Sequence, residues 1–147
     1  MGATYCRIVM VALVVVACAK ADDSDDEKKE LAKQMLRSMT EECMKQEGAS
    51  EDDVEAMLED KTPETKVQKC FLSCCQQQFN ISDGKKFNKE GFLELCGMMF
   101  KEDDEKMKIA EEVGEECSTV ENEDRCQLSV DIKKCVETGL EKRGVKM

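Results

Sequence analysis

The 147-residue chain contains no histidine, no tryptophan, one proline and one tyrosine. Without histidine there is no side chain whose ordinary pKa lies near neutrality. Ser–His and Cys–His nucleophiles, most acid–base hydrolases, and a secreted phospholipase's histidine chemistry are therefore excluded. A neutral-pH histidine switch is excluded for the same reason. Basic residues are outnumbered 22 to 33 by acidic ones, giving a net charge of −11. Such a surface repels nucleic acid and anionic membranes. We expect no nucleic-acid partner, no stable membrane insertion and no cofactor, and a protein that is not an enzyme.

Long apolar runs are also scarce. The one that exists, Ile8 to Ala17, follows Arg7 and ends in the small residues Ala17-Cys18-Ala19 and Ala19-Lys20-Ala21. It is too short to span a bilayer comfortably and has the build of a secretory signal peptide. Two overlapping cleavage sites are present; we place the cut after Ala21. Residues 1–21 are then the signal peptide and residues 22–147 the mature domain, secreted and extracellular. The leader takes Arg7 and Lys20 with it but no acidic residue, so the mature chain is more acidic still.

What remains reads as helices. Ser24 with Glu27 fits a capping box, and Leu31, Met35, Leu36, Met39 and Cys43 follow at helical spacing. Thr40 marks a candidate kink, and Gly48 a stop. Ser50 with the acids after it opens a second helix carrying Val54, Met57 and Leu58. Thr62-Pro63 predicts the start of a third, with the proline at its first position, running to about Gln78. A fourth is expected over about 88–100 and a fifth from Asp103-Asp104 through Cys117. The sixth is expected from about Arg125 to Gly139. There, Leu128-Ser129-Val130-Asp131-Ile132 alternates like a strand, but a lone strand would have no partner, so helix is the expectation. The fold class is all-α: six short helices in one domain.

Between the third and fourth helices, Asn80 to Lys86 is a turn around Asp83-Gly84. It is not a calcium loop, because counting back from Gly84 puts Phe79 where the first carboxylate ligand belongs. Asn80-Ile81-Ser82 matches a glycosylation acceptor. No metal site is expected, since the cysteines lack the clip spacing of zinc ligands.

Ten cysteines are present, two of them, Cys6 and Cys18, in the leader. The eight left form an even set in a secreted chain, which implies disulfides. Residue types alone leave their pairing open. Cys43, Cys70, Cys74, Cys117, Cys126 and Cys135 are separated by 26, 3, 42, 8 and 8 residues. This pattern, with the helix order and the Asp-Gly loop, resembles the insect odorant-binding protein family of six-cysteine type, with one extra cysteine pair.

The resemblance implies interlocked bonds, Cys43–Cys74, Cys70–Cys126 and Cys117–Cys135. Cys75 and Cys96 depart from the pattern. They are expected to form a fourth bond, the alternative being two buried thiols. The resemblance also implies an apolar cavity and a function: a secreted carrier of a small hydrophobic ligand (an odorant, a pheromone or another lipid-like molecule). By analogy of position its walls would include Met35, Met39, Met57, Phe71 and Leu72. From the later helices come Phe92, Met99, Met107, Ala110, Val113, Leu128 and Ile132. Ser73 or Thr138 would be the polar anchor, and Val145 and Met147 of the tail a lid. A chemosensory receptor is the expected macromolecular partner, and the carrier a monomer or weak homodimer. Acid sensitivity would come from carboxylates, at about pH 4–5. The alternative is a secreted signalling or venom polypeptide on the same scaffold, acting through its acidic surface.

Overall fold

A computed structural model describes residues 26–100 and 103–145. Among these residues six helices follow one another: α1 Asp26–Glu47, α2 Glu51–Leu58, α3 Lys66–Gln78, α4 Lys89–Met99, α5 Asp104–Glu116 and α6 Arg125–Lys142. Two isolated bridges, Ser82 with Phe87 and Lys86 with Glu121, are the β-type pairings among the described residues. The expected signal peptide, Ser24 and Met147 lie outside those residues, as do the side chains of Met35, Leu58 and Met99.

Helices α2, α3, α5 and α6 start where side chains satisfy the free N–H groups of the first turn. Ser50 and Asp53 form a reciprocal capping box on α2, and Asp103 and Asp124 cap α5 and α6. One start differs from expectation. The third helix begins not at Thr62-Pro63 but at Lys66, with Thr65 as its cap and Gln68 closing the box. Proline fixed the backbone angle at one position, but a Thr-x-x-Gln box satisfies two donors at once and sets the start. Thr40 causes no break, since α1 is one continuous helix and Thr40 is fully buried within it.

Helices α1, α2, α3 and α6 end by left-handed turns. Gly48 follows α1 at φ +68° and Gly144 follows α6 at φ +75°. After α2 and α3 the left-handed position belongs to Asp60 and Asn80, both at φ +60°. In each case the amide just after the left-handed residue bonds back into the helix, Lys61 to the Ala56 carbonyl and Ile81 to that of Gln76. These are Schellman closures.

α3 is the central element. Its buried run Cys70 to Gln76 packs most extensively on α6 and next on α1, while α5 bridges α4 and α6. Between α3 and α6, Ser129 donates its hydroxyl to the Lys69 and Cys126 carbonyls, and the Gln76 amide donates to the Ser129 carbonyl. The Arg125 guanidinium grips both oxygens of the nearly buried Glu47 carboxylate at 2.8 and 3.0 Å, joining the start of α6 to the end of α1. Three disulfides complete the frame, Cys43–Cys74, Cys70–Cys126 and Cys117–Cys135, with Cα separations of 5.7, 4.3 and 5.9 Å.

The expected fourth bond is corrected. Cys75 and Cys96 are free thiols, both fully buried in the apolar core. Burial pushes each thiol up to about 12, because the thiolate would lose its hydration there. They pack as small apolar groups.

Candidate ligand-binding site

The site is built from the end of α2, the segment leading into α3, and one face each of α3 and α6. The capping box aims α2 so that Val54 and Met57 are buried. Past the helix, Asp60 occupies the left-handed position that glycine usually takes. A β-carbon there costs of order 1–3 kcal/mol. The return is tertiary: the Asp60 carboxylate lies 3.2 Å from the Lys133 ammonium of α6, and both side chains are nearly buried, 6% and 5% exposed. Glu137, one turn further along α6, accepts a hydrogen bond from the same ammonium.

Beside this ion cluster is a small apolar cleft. Ala56 and Met57 of α2, Pro63 of the connection, and Phe71 and Leu72 of α3 supply its apolar wall. Lys61, Asp53, Gln68 and Lys133 supply the polar part. Gln68 donates from its side-chain amide to Asp53 at 3.1 Å and accepts from the Glu64 and Thr65 amides. The backbone N–H of Ser50, with Gln68 and the Ser50 hydroxyl, holds the Asp53 carboxyl below its ordinary value. The rim is thus fixed by the same groups that cap α2 and α3. The cleft offers about 20 Å³, room for a single water-sized group.

Two broader hollows lie at the surface. One, of about 450 Å³, is lined by Arg37, Ser38, Glu41, Met44, Lys45, Ala49 and Glu51. The other, of about 680 Å³, is lined by Glu112, Glu115, Glu116, Lys142 and Arg143. Their walls are mostly charged, and in the second the charges are already paired, Arg143 with Glu112 and Glu116, and Lys142 with Glu116. Both lie open to solvent, so an apolar molecule there would keep much of its surface in water.

Of the expected lining residues, the structure brings Met57, Phe71 and Leu72 together in the cleft. Phe92, Ala110, Val113, Leu128 and Ile132 are packed within the continuous buried core, with Met107 half-buried against it. Met39 is a correction: at 43% exposed it faces solvent rather than an interior wall. Of the expected anchors, Thr138 is exposed. Ser73 is buried, and its hydroxyl accepts from the Gln77 side chain. Val145 of the tail is half-buried against the core and its amide bonds back to Leu140. Lys133 is the residue that sequence reasoning missed. The one signal available was a lysine in register with Ser129, Ile132 and Val136 on the inward face of α6.

The comparisons with known proteins agree on one family. The model of the PBP/GOBP family matches residues 14–138. General odorant-binding protein 19d of Drosophila melanogaster is 28% identical over 143 residues, covering 96% of this chain and 95% of its own. General odorant-binding protein 28a of the same fly is 29% identical over 140 residues, covering 94% and 96%. The solved structure of odorant-binding protein dmelOBP28a from Drosophila melanogaster superposes with a TM-score of 0.65 at 29% identity. It is matched over 82% of this chain and 99% of its own. With the six helices and three interlocked disulfides, the chain belongs to the PBP/GOBP family, the insect odorant-binding proteins.

Proposed function

We propose that this protein is a secreted carrier that holds a small hydrophobic ligand, an odorant, a pheromone or another lipid-like molecule, among its helices. Family membership and fold support carriage of such ligands. The observation that carries the site is the meeting of Met57, Phe71 and Leu72, from two helices, in one cleft closed by α6. Residues 1–21 direct secretion and residues 22–147 form the mature carrier. Among the described residues no helix is long and apolar enough to cross a membrane. Binding draws on burial of apolar area, about 25 cal/mol per Å² before the costs of ordering. The activity is binding without catalysis, and delivery is to a chemosensory receptor.

The cleft as it stands fits a head group rather than a whole ligand, so loading requires its walls to part. Met57 is flexible, and the Lys61–Thr65 connection has no regular structure to unfold. A native mass spectrum of the protein purified from its own tissue tests the reading. The expected result is an added mass of about 150–350 Da, a size for ordinary pockets, lost in organic solvent. An empty protein that also fails to bind N-phenyl-1-naphthylamine, an apolar fluorescent probe, overturns it.

A further inference from the structure

We propose that Lys133 is the ligand's head-group anchor, and that it selects neutral oxygen acceptors (aldehydes, ketones and esters) over hydrocarbons and over carboxylates. The proposal rests on the carrier reading and adds the chemistry of the cargo.

Four observations carry it. Lys133 is the buried polar residue of the cleft wall, and it lines the cleft together with Met57, Phe71 and Leu72. An ammonium has three N–H donors. One bonds to Glu137, and Asp60 is held as an ion pair at 3.2 Å, so at least one N–H is left uncommitted by these contacts. The cleft space of about 20 Å³ beside it accommodates a single oxygen-sized group. Finally, the local charge has the wrong sign for an anion. One ammonium faces two carboxylates, Asp60 and Glu137, while Asp53 and Lys61 on the same cleft offset each other. A ligand carboxylate would meet net negative charge in a poorly hydrated place, whereas a neutral carbonyl oxygen takes the spare N–H without adding charge.

The other polar groups of the cleft are committed elsewhere. Asp53 and Gln68 bond to each other and to helix-capping amides, and Lys61 pairs with Glu59 at the surface. Asp60 and Glu137 hold the lysine's head in place, and the left-handed turn at Asp60 is the geometry that makes this possible.

The test is displacement of N-phenyl-1-naphthylamine from the mature protein by an alkane, an aldehyde, a methyl ester and a carboxylate of one chain length. Wild-type protein is expected to bind the aldehyde and the ester about tenfold more tightly than the alkane and the carboxylate, the ratio one charge-assisted hydrogen bond supports. In Asp60→Asn/Lys133→Met, which removes both members of the buried pair and keeps a residue tolerant of the left-handed turn, the ester-to-alkane preference is expected to vanish. A merely structural lysine would weaken all four ligands alike. Infrared spectroscopy of the carbonyl-labelled ester bound to wild-type protein reads the contact without a variant, and its stretch is expected at lower frequency than in hexane. An unshifted stretch, or a preference unchanged in the double variant, overturns the Lys133 assignment alone. Wild-type protein that binds the probe but ranks the four ligands equally does the same. Failure of the probe and of every ligand to bind overturns the carrier reading, and this assignment with it.

Discussion

Single atoms decide several positions. A β-carbon built on Gly91 would sit 1.8 Å from the Asn80 carbonyl oxygen, where no side chain fits. That oxygen already accepts from the Asn88 side chain at 2.8 Å, so it is tied in place. Gly91→Ala is expected to cost about 3 kcal/mol, the upper range for overpacking, seen as a lowered midpoint in urea unfolding. Cys75 and Cys96 make a second case. With their thiols raised to about 12 and fully buried, iodoacetamide at about pH 8 is expected to label neither in the native protein. In denaturant, with the disulfides left intact, both are expected to react. Two silent cysteines under those conditions would mean that they are bonded to each other. Residue types favoured such a bond, because an even count in an oxidising compartment argues for pairing. What the count does not contain is the surroundings, an apolar core in which a thiol is at home.

At the scale of helices, much was legible. Ser50, Asp103 and the Arg125 start announce themselves through short local patterns, and helix ends at Gly48 and after Gln78 follow from left-handed turns. The start of α3 was also written in the chain, as Thr65 with Gln68, but Pro63 was the louder signal. Thr65→Ala is expected to cost about 1 kcal/mol and to raise amide exchange in the first turn of α3, leaving α6 unaffected. Thr62→Ala is expected to do nothing comparable. The candidate site was less legible for a reason of range. Met57, Phe71 and Leu72 lie close in sequence and were named. The Asp60–Lys133 pair joins α2's exit to α6 and leaves no mark on either segment's periodicity. Met39 erred the other way: it has helical spacing with buried neighbours, yet lies on the exposed edge of α1.

For the whole molecule, charge sets the response to acid. There is no histidine, so between about pH 5 and 8 no side chain with an ordinary pKa titrates. Four carboxyls among the described residues move down. Asp53 is lowered by the Ser50 amide, Asp83 by the Lys86 and Lys85 amides, Glu115 by Lys89, and Glu116 by Lys142 and Arg143. A carboxyl lowered on folding contributes stability above its unfolded value and loses it as pH falls through the folded one. Those unfolded values are 3.8 for aspartate and 4.5 for glutamate. The melting temperature is therefore expected to be flat from about pH 8 to 5 and to fall below about pH 4. A drop between pH 7 and 6 would contradict this.

The three disulfides are worth about 3–4 kcal/mol each in the chain-entropy model, but their arrangement has a separate consequence. The first spans residues 43–74, the second 70–126 and the third 117–135, and each overlaps the next. Every peptide bond from Cys43 to Cys135 thus lies inside at least one covalent ring. A protease that cuts the exposed turn at Lys85-Lys86 opens a ring but frees no piece. The nicked protein should run as one band on a non-reducing gel and as two after reduction. One cut leaves the body covalently whole, so losing a fragment from this region takes at least a second cut or a reductant.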